Sequence, residues 1–167
     1  DDIQNVDTGK CRNNIDTAVA NYNGENGDTM GITGPVGIEQ TTTVQGVRVN
    51  IIVASQVDAM FNAMKAAGLN PGGGGYRDPA GQIATRKNNC GTSNYAIYEM
   101  PAKECSPPTA RPGRSMHERG LAIDMTCGGG AFSFKNSPCF PWMKANAATY
   151  GFFNLPSEPW HWSTNGN

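Results

Sequence analysis

Apolar residues recur along this chain with two periods, and turn-forming dipeptides mark where one period gives way to the other. Residues 41–44 and 47–51 flank Gln45-Gly46, and Val47, Val49 and Ile51 alternate with polar positions, which predicts two strands joined by a turn. Val57, Met60, Phe61 and Met64 then fall on one face at helical spacing. Ser55-Gln56-Val57-Asp58 resembles a capping box at the start of that helix, and Gly68 is its natural stop. Asp78-Pro79 predicts the start of another helix, with Asp as N-cap and Pro in the first turn. It should run to about Asn89 and end at Gly91, with Gln82 and Arg86 one turn apart. Residues 91–114 carry four prolines and predict a long loop. Residues 121–127 read as a strand, with Leu121, Ile123 and Met125 on one face and Ala122 and Asp124 on the other. A helix over 141–150, closed by Gly151, and short strands over 152–155 and 160–163 complete the pattern. Near the start, Ile15, Val19 and Tyr22 lie at helical spacing with Ala18 beside them, and five glycines between residues 23 and 37 predict irregular chain. The expected fold is α+β, with helices packed on a small, mainly antiparallel sheet. Residues 1–40 should form an irregular segment with one helix packed on the same domain, and residues 41–167 the core.

Composition narrows the function classes. The 167 residues suit one domain with a real core. Only 16% of them are charged, against roughly 25% in an average globular protein. The 21 glycines and 11 prolines point to a loop-rich domain. A formal net charge of −1 argues against a nucleic-acid footprint or a polybasic membrane patch. No apolar run approaches the roughly 18 residues needed to span a bilayer. The chain opens on Asp1-Asp2 without an initiator Met, as expected of a processed or trimmed protein. Its five cysteines, Cys11, Cys90, Cys105, Cys127 and Cys139, form no Cys-x-x-Cys pair, so disulfides fit better than a thiolate metal site. Sequence proximity favours Cys90–Cys105 and Cys127–Cys139, with Cys11 left over, and the expected compartment is oxidising. The alternative is five reduced thiols in a cytosolic protein.

The candidate chemistry gathers around the chain's two histidines. The Gly72–Gly75 run is no phosphate cradle, because no Gly-Lys-Ser/Thr closes it and the dinucleotide spacing is absent. His117-Glu118 is not the helical His-Glu-x-x-His motif either, since Leu121 stands where the second His belongs. Asp124 falls mid-strand among apolar neighbours, and a carboxylate there is costly unless paired or metal-bound. In Trp160-His161-Trp162 the tryptophans share one strand face and His161 takes the other. Glu158 lies three residues before His161, across Pro159, and a kink at the proline would turn its carboxylate toward the same cavity. Two imidazoles and one carboxylate, His117, His161 and Asp124, are the ligand set of a catalytic zinc ion with a fourth position open to water. Glu158 is then the spare carboxylate, suited to general-base work. The alternative is that the histidines serve only hydrogen bonds and Asp124 pairs with an arginine.

Ser115-x-His117-x-x-Gly120-x-Ala122-x-Asp124, followed by Glu158-x-Trp160-His161-Trp162, resembles the zinc D-alanyl-D-alanine carboxypeptidases of the VanY type. These belong to a wider group with lysostaphin-type enzymes and the hedgehog signalling domain. The resemblance covers roughly residues 50–163 and includes Gly75-Tyr76-Arg77 upstream. It implies Zn2+ held by His117, Asp124 and His161, with Glu158 as base and Arg77 stabilising the developing oxyanion. It also implies Ser115 holding the substrate's terminal carboxylate, with Gln82 a further substrate-side residue. Trp160 is expected in the cleft wall that substrate touches. The implied protein is a secreted or envelope-located bacterial metallopeptidase, acting as a monomer. It would remove the terminal D-Ala from peptidoglycan stem peptides and have neither a nucleic-acid partner nor a membrane span. Two other functions fit the same motifs: an endopeptidase cutting the L-Ala–D-Glu bond, and a non-catalytic zinc-stabilised binding module.

Overall fold

The computed structural model describes residues 30–167. The predicted helix around Ile15–Tyr22 and the fate of Cys11 lie outside the described residues. Strands β1 (Thr41–Val44) and β2 (Val47–Asn50) form the expected antiparallel hairpin. Both turn residues have positive φ, Gln45 at 48° and Gly46 at 87°, as a two-residue type I′ turn demands. Gln45 tolerates this because its side-chain amide is tied to helix α1 (Ala54–Ala66). Its Nε2 donates to Asp58 Oδ1 at 2.8 Å and Asn62 Oδ1 at 2.9 Å, and its Oε1 accepts from Lys65 Nζ.

The α1 stripe of Val57, Met60, Phe61 and Met64 is fully buried, as its spacing predicts. The helix does not start at the Ser55 capping box, however. A 3-10 turn over Ile51–Val53 leads into it, and Asn50 Oδ1 caps that turn by accepting from Ile52 N. Asn50 is fixed by tertiary contacts, its Nδ2 donating to Arg119 O and its backbone N to Gly120 O, so the chain is already turning before Ser55. Gly120 permits this approach. Its φ is +69°, and a Cβ there would lie 2.6 Å from the Asn50 nitrogen.

The glycine run forms a strand, β3 (Pro71–Gly74), which the sequence reading leaves undefined. It lies at the edge of a four-stranded antiparallel sheet ordered β3-β4-β6-β5, with β4 (Ala122–Cys127), β5 (Phe153–Leu155) and β6 (Glu158–Ser163). Edge position suits a strand that begins with proline. Helix α2 (Pro79–Cys90) starts as predicted, with Asp78 Oδ1 accepting from Gly81 N at 2.7 Å. Asp78→Ala is expected to cost about 1 kcal/mol, the usual worth of an N-cap, measurable as a lowered denaturation midpoint at unchanged m-value.

The 91–114 segment is more ordered than a plain loop. Tyr95–Glu99 forms a π-helical turn and Ala102–Glu104 a 3-10 turn. Its centre is Arg86, fully buried, whose guanidinium donates to the carbonyls of Ala96, Ile97, Met100 and Thr109. The Cys90–Cys105 bridge closes the same loop, and Cys127–Cys139 joins the end of β4 to the start of α3 (Cys139–Asn146). The helix predicted over 141–150 therefore begins at the bridged cysteine and breaks into a 3-10 turn over Ala147–Tyr150, ended by Gly151 at φ 81°. The core lies between α1, α3 and one sheet face, where Ile123, Met125, Phe152 and Trp162 are buried.

Candidate active site

The sheet register builds the centre of the site. Asp124 on β4 stands directly opposite His161 on β6, so both side chains leave the same face. His117 enters from the loop before β4, and that loop is held by a buried carboxylate. Glu118, with no exposure, accepts from Gly113 N with both oxygens at 2.9 Å and from Ser115 N at 3.1 Å.

Both imidazoles are oriented by backbone carbonyls. His117 Nδ1 lies 2.8 Å from Gly75 O, and His161 Nε2 lies 2.9 Å from Asn167 O. A carbonyl can only accept, so each of these nitrogens carries the proton of the neutral ring. The remaining nitrogens, His117 Nε2 and His161 Nδ1, are then lone pairs. They lie 3.2 Å from each other, and 3.1 and 3.0 Å from Asp124 Oδ1. Three acceptors converge with no proton to share, and only a cation or added protons can relieve their repulsion. These donor atoms fall within 4.8 Å of one another, and their chemistry suits a borderline divalent metal. The carbonyl partners match the outer support usual for metal-bound histidines. Gly75 must be glycine to provide its carbonyl, because a Cβ would sit 2.0 Å from Arg48 O.

The electrostatics describe the relief that added protons on the two rings would give. Burial opposes ionisation of Asp124, but the charge and hydrogen bonds of His117 and His161 outweigh it and hold the carboxyl well below the usual carboxylate range. Burial also disfavours a charged His161, yet Asp124, the Asn167 carbonyl and Glu158 raise it overall.

A cleft of about 430 Å³ opens over this centre. Glu158 faces it, although strict alternation would place it with Trp162 and away from His161. A register shift at Asn154/Leu155 breaks the alternation, as the proline suggests. Asn154 Nδ2 holds the kinked strand by donating to Glu158 O at 3.0 Å and His161 O at 2.9 Å. Burial pushes the Glu158 carboxyl up, with Asp124 adding to it and His161 and Arg77 opposing. Arg77 reaches the same space, its guanidinium 3.7 Å from Asp124 Oδ2.

The remaining predicted residues divide. Ser115 lines the cleft, and its Oγ accepts from His117 N at 3.2 Å, which leaves its hydroxyl proton free to donate. Gln82 borders the cleft but is buried, with Oε1 accepting from Arg77 at 2.9 Å and Nε2 donating to Ala110 O at 2.7 Å. Its amide thereby ties Arg77 to the Ala110 carbonyl at the edge of the cleft. Trp160 lines the rim and meets the exposed Phe132 edge to face, with centroids 5.0 Å apart, whereas Trp162 belongs to the core. The sequence reading misses Glu118, Asn154, Phe132 and the carbonyls of Gly75 and Asn167. Only Phe132 carries a local signal, a large apolar residue beside a glycine run.

Solved structures share this architecture. VanYB in complex with D-alanine-D-alanine matches with a TM-score of 0.57 and 21% identity over 77% of this chain and 80% of its own. A mutant of the vancomycin-resistance D,D-pentapeptidase VanY in complex with Zn(II) gives 0.56 and 21%, over 80% and 83%. The LdcB LD-carboxypeptidase gives 0.57 and 22%, over 81% and 68%. No curated protein sequence matches the chain. The family model for VanY, D-alanyl-D-alanine carboxypeptidase, spans residues 46–167 and so takes in the whole sheet and every residue around the cleft. On that match the chain belongs to the VanY family of peptidoglycan metallo-carboxypeptidases.

Proposed function

We propose that this protein is a zinc D-alanyl-D-alanine carboxypeptidase that removes the terminal D-Ala from peptidoglycan stem peptides. The observation that carries the reading is the convergence of three acceptor atoms, from His117, Asp124 and His161, in a cleft that also presents Glu158 and Arg77. His117 Nε2, His161 Nδ1 and an Asp124 carboxylate oxygen would hold the ion. Bound zinc acidifies a coordinated water and polarises the scissile carbonyl. Glu158 accepts the proton of the attacking water and delivers it to the leaving amine, and burial has already raised its affinity for that proton. Arg77 stands where its guanidinium can meet the carbonyl oxygen as negative charge develops. The free Ser115 hydroxyl donates to a substrate carboxylate, and Trp160 with Phe132 forms the apolar side of the cleft. The two disulfides support action outside the cytosol, in the envelope or secreted.

Mass analysis of products from defined muropeptides tests the reading. Release of free D-Ala from peptides ending D-Ala-D-Ala is expected. Release only from tetrapeptides ending in a single D-Ala would assign L,D-carboxypeptidase activity, and cleavage at L-Ala–D-Glu an endopeptidase. Metal analysis should find one zinc per chain, lost in His117→Ala, and full zinc occupancy in that variant would overturn the ligand set.

A further inference from the structure

Besides the main cleft, the surface carries a shallow depression of about 340 Å³ lined by Pro101, Ala102, Ala110, Arg111 and Arg114. Ala110 and Arg114 also line the main cleft, so the depression adjoins it. The arginines around them are not equivalent. Arg77 is held by Gln82 and Asp124, and Arg119 by Met116 Sδ and Thr33 O. Arg86 is buried on loop carbonyls, and Arg111 donates to Glu99 O. The Arg114 guanidinium is exposed to solvent and has no hydrogen-bond or ion-pair partner among the described residues.

Its backbone, by contrast, is fixed on both sides. Glu118 binds the amides of Gly113 and Ser115, and Arg114 N donates to Arg111 O at 3.0 Å. With its carboxylate occupied by those amides, Glu118 is not left to pair with Arg114. The fold thus presents a partnerless guanidinium from a rigid loop, next to Ser115, over a floor of proline and alanine. A guanidinium fork matches a carboxylate, and the apolar floor matches a short aliphatic chain.

We propose that Arg114 and this depression form a subsite for a carboxylate-bearing aliphatic residue of the peptide substrate. The inference rests on the peptidase reading above. The carboxylate has two possible sources, the chain terminus of the peptide or an internal acidic residue.

The test is steady-state kinetics of the zinc-loaded protein on three peptides: the free acid, the C-terminal amide, and the peptide whose internal acidic residue is converted to its amide. On the free acid, Arg114→Gln should raise KM about tenfold with kcat little changed, the lower end of what a charge-assisted hydrogen bond contributes. Arg114→Lys should recover part of the loss, and the thermal midpoint of both variants should match wild type. The KM effect should vanish on one amide, and which amide identifies the source. An equal KM effect on all three peptides, or none on the free acid, overturns the subsite. Should Arg114→Gln fail to fold, Arg114→Lys carries the same comparison, with a smaller KM rise confined to acid peptides. Wild-type protein that cleaves no peptide overturns the peptidase reading and the subsite with it, whereas normal cleavage indifferent to Arg114 overturns the subsite alone.

Discussion

Glu158→Gln is expected to retain one zinc per chain and to lose turnover by about 10²–10⁴-fold, the usual contribution of a positioned general base. Glutamine keeps the shape of the side chain and most of its packing but cannot accept the water's proton. Retention of metal follows from the geometry. His117, Asp124 and His161 bring three donor atoms within 4.8 Å without help from Glu158. Glu158 is placed by a different device, the kink that Asn154 holds, and so belongs to the cleft wall. Metal analysis beside single-turnover kinetics separates the two functions. If Glu158→Gln loses zinc while Asp124→Asn keeps it, ligand and base have been exchanged. If turnover persists within tenfold of wild type, another group accepts the proton.

What the chain discloses on its own depends on whether the determinant is local. The hairpin and α1 are legible because one face of each is buried, which forces period-2 spacing on Val47 and Val49 and helical spacing on Val57 to Met64. The Asp78 cap is equally local, lying three residues from the amide it satisfies. The start of α1 is not, since Asn50 is fixed by a loop 69 residues further on. The Pro71–Gly74 strand is invisible for another reason: glycines carry no side chain to alternate, and this strand is defined by its β4 partner.

The site follows the same rule. His117, Asp124, Glu158 and His161 stand out because a polar or titratable residue in an apolar strand or beside tryptophans is conspicuous. Their supports are backbone carbonyls and long-range hydrogen bonds, which no spacing reveals. Glu118 is the instructive case. Next to His117 it reads as part of a metal motif, yet it is the fully buried anchor of the 113–115 loop. Arg86 likewise reads as the partner of Gln82 on one helix face. In the fold the two are buried together beneath the 96–110 segment, where Arg86 gathers the loop carbonyls and Gln82 connects Ala110 to Arg77.

That connection bears on Arg77→Ala, which is expected to lower kcat by about 10²–10³-fold, roughly 2.7–4 kcal/mol, with a much smaller change in KM. The expectation follows from when the charge is needed. A neutral scissile carbonyl gains little from a guanidinium, whereas the oxyanion that develops from it gains a charge-assisted hydrogen bond in a partly dry cleft. Arg77 is preorganised for that moment by Gln82 Oε1 at 2.9 Å and by its own backbone N donating to His117 O at 3.1 Å. Its guanidinium also stands 3.7 Å from Asp124 Oδ2, so zinc content must be measured in the same preparation. Zinc retained with kcat lost assigns Arg77 to the transition state. Zinc lost would instead make it a support for the ligand carboxylate. A rise in KM at constant kcat would make it a ground-state clamp on the substrate, the role assigned above to Ser115. Arg77→Lys should restore activity only in part, because an ammonium lacks the planar fork that lets one nitrogen hold Gln82 while another faces the substrate. A non-catalytic binding module predicts none of these kinetic losses, since it has no turnover to lose. Wild-type protein that binds zinc and stem peptides but cleaves neither D-Ala-D-Ala nor L-Ala–D-Glu bonds would establish that alternative.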